Sequence, residues 1–159
     1  MSAPFYERSA LVAELARLRQ LRPGLRVILA NGCFDLLHVG HVRYLEHAKR
    51  LGDLLVVALN SDESVRQLKG LGRPFVPLLE RAELIGALAC VDFVTSFAER
   101  DLRDTLSALL PTVHAKGTDY TPQSVPEADL DQRLGIRVAI CGDPKSHSST
   151  QLGQIAKGN

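Results

Sequence analysis

The sequence predicts an α/β fold, a doubly wound parallel sheet of about five strands with helices on both faces. Two observations carry that expectation. Apolar runs of strand length alternate from Leu25 onward with stretches whose apolar residues recur at helical spacing. Right-handed crossovers then return each strand parallel to its neighbours. In addition, residues 31–53, NGCFDLLHVGHVRYLEHAKRLGD, place His38 and His41 around Gly40 where a strand gives way to an amphipathic helix. Open α/β sheets bind their ligands at that carboxyl edge.

The elements follow in order. Leu11, Leu15 and Leu18 share one face of a first helix, about residues 7–22, which Pro23-Gly24 stops. Residues 25–32 form the first strand, and Val42, Leu45 and Ala48 point a helix over residues 42–51 toward the core. Gly52-Asp53 turns the chain into a second strand, residues 54–60. Ser61-Asp62 and an irregular basic stretch, residues 66–77, come next, with Gly70, Gly72 and Pro74 suggesting a loop able to close over a ligand. A helix is expected over about residues 79–90. Val91, Phe93 and Val94 then mark a third strand, residues 91–97. Leu102, Leu106 and Leu109 define a helix ended by Pro111, followed by a short strand over residues 112–116 and a polar loop, residues 117–120. Pro126 opens a helix that Gly135 closes, residues 137–141 are the last strand, and Ser148-Ser149-Thr150 precedes a terminal helix. The pattern is Rossmann-like. With 159 residues and no linker or repeat, it reads as a single domain, residues 1–159, with its catalytic core over residues 25–159.

Composition narrows the function classes. Lys and Arg number 19 against 18 Asp and Glu, so no global basic field exists to hold nucleic acid. Any bound anion must be held locally. The longest apolar run, residues 54–59, is strand-sized, and no segment reads as a membrane span or signal peptide. Three cysteines, Cys33, Cys90 and Cys141, show no CxxC spacing, which fits a reducing cytoplasm.

No GxGxxG follows the first strand and no GxxxxGK[ST] occurs, so phosphate must be cradled another way. His38 and His41 supply imidazole donors beside a helix N-terminus, which already favours anions. A zinc site shared by the pair is the rival reading, set lower because no third soft ligand lies nearby. A histidine merely capping the helix is the structural alternative, and it weakens when two are paired at a strand's carboxyl edge. His47 and His114 read as packing or solvent contact. Lys69, Arg73 and Arg81 offer cations to a departing pyrophosphate, with a solvated basic surface as the rival for Arg66 and Arg73. Lys116 and Asp119 mark another carboxyl edge. Ser148, Ser149 and Thr150 offer hydroxyls and N–H groups at a helix start, as an N-cap or a second phosphate contact. Asp35 could hold the His loop or serve an Asx-turn.

Together these residues resemble the cytidylyltransferase-like nucleotidyltransferases, whose HxGH hallmark stands here as His38-Val39-Gly40-His41. The first segment above, LNSDESVRQLKG, Arg73-Pro74, Glu80-Arg81, AKGTDY and the late SST look like the D-glycero-β-D-manno-heptose 1-phosphate adenylyltransferase branch. The run from Lys116 to Tyr120 is similar to that branch's KGGDY. The glycerol-3-phosphate cytidylyltransferases carry instead a late RTxGxST, whose Arg is missing here. Thr118, His114 and SST depart from the heptose pattern.

The resemblance implies transfer of AMP from ATP to D-glycero-β-D-manno-heptose 1-phosphate, giving ADP-heptose and pyrophosphate. It implies His38, His41, Lys69 and Arg81 as catalytic residues. Asn31, Gly32, Cys33, Phe34, Gly40, Lys116, Gly117, Asp119, Ser148, Ser149 and Thr150 would bind nucleotide, and Asp35, Asp62 and Arg73 the acceptor. Mg²⁺ would be held mainly by the nucleotide phosphates, with no protein metal ligand. A separate sugar kinase, a homodimer and a cytoplasmic location complete the expectation. Two other functions stay open: cytidylyl transfer to glycerol 3-phosphate or a similar alcohol phosphate, and a non-catalytic nucleotide sensor. An adapter acting through the first helix is a third idea, resting only on that helix's apolar stripe.

Overall fold

The computed structural model describes residues 1–144. The elements run α1 (Arg8–Leu21), β1 (Val27–Gly32), α2 (Val39–Lys49), β2 (Leu54–Asn60), α3 (Asp62–Lys69), α4 (Leu78–Gly86), β3 (Phe93–Phe97), α5 (Arg103–Leu109), β4 (Val113–Gly117), α6 (Ala128–Leu134) and β5 (Arg137–Cys141). The five strands form one parallel sheet in the order β3-β2-β1-β4-β5.

Both faces are covered, which is why the central strands read as unbroken apolar runs. Side chains alternate across a strand, so Val27 and Leu29 face one layer and Ile28 and Ala30 the other. Val27 and Leu29 pack with Leu11 and Leu15 of α1 and Leu106 and Leu109 of α5. Ile28 and Ala30 pack with Leu45 and Ala48 of α2 and Ala82 and Ile85 of α4. In β1 and β2 this buries Val27, Ile28, Leu29, Ala30 and Leu55 to Leu59 completely.

The order reverses at β1, whose neighbours β2 and β4 lie on opposite sides. Chain leaving β1 crosses one face of the sheet while chain leaving β4 crosses the other, so their carboxyl ends flank a crevice.

Three details differ from the sequence expectation. The second helix begins at Val39 rather than Val42, because the side chain of His38 caps it. The stretch expected to be irregular contains α3: Ser61 Oγ accepts the Ser64 N–H at 3.1 Å, and Asp62 and Glu63 favour the positive helix end. The connection to α4 is therefore only residues 70–77, opened by Gly70 at φ +94°. Helix α4 ends at Gly86, where the Ala3 N–H donates to the Gly86 carbonyl at 2.7 Å. A Cβ at residue 86 would stand 2.8 Å from the Ala3 oxygen, so glycine is needed for this approach. The N-terminal residues then continue beside β3, with Tyr6 N–H donating to Val94 O at 2.8 Å. The helix expected after Ser148 lies outside the described residues. Among those described, no helix is long and apolar enough to cross a membrane.

Candidate active site

The start of α2 is built by its two histidines. His38 is extended at φ −142° and its Nδ1 accepts the Gly40 N–H at 3.2 Å, while His41 Nδ1 accepts the His38 N–H at 3.3 Å. Since both Nδ1 atoms accept, each neutral imidazole carries its proton on Nε2. The rings stack with centroids 3.8 Å apart, forming a two-ring donor surface. A Cβ on residue 40 would stand 2.9 Å from the His38 ring, so glycine is what lets that ring fold over the helix end. Phe34, at φ +48°, tilts its ring against His41 at 5.0 Å and lies parallel to Tyr44 at 6.4 Å. The Tyr44 hydroxyl donates to Ala115 O at 2.7 Å, which ties α2 to β4 across the crevice.

The histidines line a cavity of about 620 Å³ at the carboxyl edge of the sheet. Every strand contributes: Asn31 and Gly32 from β1, Asn60 from β2, Phe97 from β3, Lys116 and Gly117 from β4, and Cys141 from β5. In the same cavity, Lys116 Nζ donates to Asn31 Oδ1 at 3.2 Å and sits 4.6 Å over the Tyr120 ring. Burial pushes its pKa below the usual lysine value, so an arriving anion would stabilise the charged form. Burial pushes the thiol of Cys33 up, and that of Cys141 up to about 11, so neither offers a thiolate near neutral pH. Phe34, Gly40, Lys69 and Asp119 also line the cavity.

Four other candidates lie outside that lining. Asp35 is buried and accepts from Arg73 Nε and from the Phe75 and Val76 N–H groups at 2.7 and 3.0 Å. It anchors the connection between α3 and α4, and Arg73 stacks on Phe75 at 4.4 Å. Arg81 is fully buried: it donates to Val76 O at 2.9 Å, Cys33 O at 2.7 Å, Asn60 O at 2.9 Å and Asp62 Oδ1 at 2.6 Å. Its place is beneath the cavity, holding the ends of β1 and β2 and the connection together. Asp62 is its ion-pair partner. Ser148, Ser149 and Thr150 lie outside the described residues.

His47 accepts the Gly142 N–H at 3.1 Å, joining α2 to the turn after β5. His114 is fully buried with Nδ1 2.9 Å from Asp131 Oδ2, so of the two readings offered for it solvent contact falls away. Sequence reasoning missed Tyr44, Asn60, Arg100, Tyr120 and Glu127 in the cavity wall. Asn60 closes a strand and Arg100 follows one, so the carboxyl-edge rule applied to every strand would have found both. Among the described residues, no group of three or more His, Cys, Asp or Glu side chains is placed to hold a metal ion.

A sequence model of the family described as cytidylyltransferase-like matches residues 29–151. The chain is similar to the bifunctional protein HldE of Syntrophotalea carbinolica, 47% identical over 131 residues, covering 82% of this chain and 27% of that protein. Its likeness to the bifunctional protein HldE of Desulfatibacillum aliphaticivorans is 44% over 144 residues, covering 91% and 29%. The chain thus spans little more than a quarter of the length of these relatives. Among solved structures, the lipopolysaccharide core biosynthesis protein of Thermoplasma volcanium superposes with a TM-score of 0.66 at 28% identity, covering 77% of this chain and all of that one. Pantoate-beta-alanine ligase from Francisella tularensis gives 0.66 at 14% identity over 96% and 74%, a likeness of fold alone.

Proposed function

The chain belongs to the cytidylyltransferase-like family, and from that premise we propose that it is a nucleotidyltransferase moving AMP from ATP to a sugar 1-phosphate, D-glycero-β-D-manno-heptose 1-phosphate. The observation that carries this is the stacked His38–His41 pair at a helix N-terminus, sharing one cavity with Lys116. The names of the relatives support a sugar acceptor, one being a lipopolysaccharide core biosynthesis protein. On this reading the product is ADP-heptose, the acceptor comes from a sugar kinase, and ATP use fits a cytoplasmic location.

A phosphate monoester is already largely ionised near neutral pH, its second pKa being about 6, so attack needs no strong general base. One acceptor oxygen bonds to the α-phosphorus, the bond to the bridging oxygen breaks, and pyrophosphate leaves with that electron pair. The protein's task is alignment and charge stabilisation. His38 and His41 donate through Nε2–H to phosphoryl oxygens, reinforced by the helix end. Lys116 holds the chain from the β4 side and Lys69 meets the departing pyrophosphate. Arg81 acts by fixing the loop that carries Cys33, and Asp35 with Arg73 by fixing residues 70–77. Mg²⁺ would arrive on the triphosphate and be held mainly by its phosphates.

Pyrophosphate release from ATP, CTP and GTP, with heptose 1-phosphate and glycerol 3-phosphate as acceptors, tests the reading. Release with ATP and heptose 1-phosphate is expected. Turnover of CTP on glycerol 3-phosphate alone would install a cytidylyltransferase instead, and nucleotide binding with no release for any acceptor would indicate a sensor.

Lys116 also gives the alkaline limb a sign. Its pKa lies below the ordinary lysine value, so as pH rises the free protein loses this cation early and ATP capture falls. The limb in kcat/KM for ATP is expected below that of an unperturbed lysine. In kcat it should sit higher, because bound phosphate favours the charged form. Lys116→Arg, ionised throughout, should remove the limb, and pH profiles of both proteins check this.

A further inference from the structure

A second cavity, of about 310 Å³, is walled by Ser64 and Gln67 of α3 with Leu68 and Arg100. Leu68 and Arg100 also line the main cavity, so the two spaces adjoin at those side chains. The volume is at the lower end of the roughly 300–1,000 Å³ typical of small-molecule pockets.

The cations at this junction differ from the others near the site. Arg73 is bound to Asp35 and Arg81 to Asp62. Arg100, exposed in the turn after β3, makes no hydrogen bond or ion pair among the described residues, and neither does Lys69 at the end of α3. The polar groups of the side cavity are half used. Ser64 Oγ accepts from Asn60 Nδ2 at 2.9 Å, which leaves its own O–H to donate. Gln67 Nε2 donates to Glu63 at 3.1 Å, which leaves its amide oxygen to accept. A polyol supplies both kinds of partner, and Leu68 offers an apolar surface for its C–H face.

We propose that the acceptor binds here, its phosphate on Arg100 at the junction and its hydroxylated body in the side cavity against Ser64 and Gln67. The proposal rests on the nucleotidyl-transfer reading and deepens it. Arg100 is then the residue that recognises the acceptor's phosphate, its planar fork suited to two phosphate oxygens. The acceptor oxygen reaches the α-phosphorus from the α3 side while the imidazoles hold the triphosphate from the α2 side.

Arg100→Ala, at an exposed site and so expected to fold, should raise the KM for heptose 1-phosphate about tenfold or more, the worth of one charge-assisted hydrogen bond. KM for ATP should stay essentially unchanged. Inorganic phosphate, as a competitor of the acceptor, should weaken in Arg100→Ala and keep its strength in Gln67→Ala, whereas heptose 1-phosphate weakens in both. An unchanged acceptor KM, or equal losses for acceptor and ATP in Arg100→Ala, would overturn the subsite. Failure of the underlying reading looks different: wild-type protein releases no pyrophosphate from ATP and heptose 1-phosphate. In that event calorimetric titration of heptose 1-phosphate into protein saturated with α,β-methylene-ATP and Mg²⁺ decides. Binding lost in Arg100→Ala upholds the subsite, and no binding to the wild type, or binding unaffected by the substitution, removes it.

Discussion

His41→Ala is expected to lower turnover by roughly 10²–10³-fold, the scale seen when one preorganised donor to a developing charge is removed. The substitution removes the Nε2–H that we propose donates to phosphate and also the Nδ1 acceptor of the His38 N–H. The second loss weakens the cap by about 0.5–2 kcal/mol, which a folded domain of ordinary stability survives. His41→Asn separates the two effects, since its side-chain oxygen can accept the His38 N–H while its amide is too short to replace the outer ring nitrogen. Thermal melts should show stability regained in the asparagine protein with turnover still depressed. Near-normal pyrophosphate release from either folded variant would contradict the assigned role.

Arg81→Ala should act first on stability. The guanidinium is fully buried and supplies donors to three backbone carbonyls and Asp62. Its removal leaves those carbonyls short of donors at the joint between β1, β2 and the α3–α4 connection. Breaking a buried pair of this kind costs about 3–5 kcal/mol, against a typical total of about 5–15. Asp62 has a side chain 40% exposed, so water recovers part of that loss. Arg81→Lys should restore only a fraction, because one ammonium cannot span four acceptors pointing in different directions. Urea unfolding measures both variants. A loss below about 1 kcal/mol for Arg81→Ala would show that the surrounding groups re-pair and that the arginine is not the joint described here.

The fold was legible because its central strands, buried on both faces, read as apolar runs separated by helical spacing. Helix α3 escaped notice because its exposed Leu68 and basic residues obscure the apolar face, although Ser61 with Asp62 and Glu63 is an ordinary helix start. Within the site, His38, Gly40, His41, Lys69 and Lys116 were readable because motif residues at strand ends converge through topology alone. The placing of Arg81 was not. A lone arginine on a helix looks the same in sequence whether it meets ligand or three carbonyls from distant segments. Arg100 sits in no motif, so only its place just after a strand pointed to it, and the folded sheet then brings that turn beside α3.

The imidazole donor surface can be observed without turnover, by long-range ¹⁵N–¹H correlation spectra of histidine-labelled protein before and after α,β-methylene-ATP and Mg²⁺ are added. Ring signals of His38 and His41 should show protonated Nε2 and acceptor Nδ1 in the free protein. Nucleotide should then shift both Nε2–H groups while His47 and His114 stay still. Nucleotide binding that leaves the His38 and His41 signals unmoved would contradict the claim that this pair receives the phosphates.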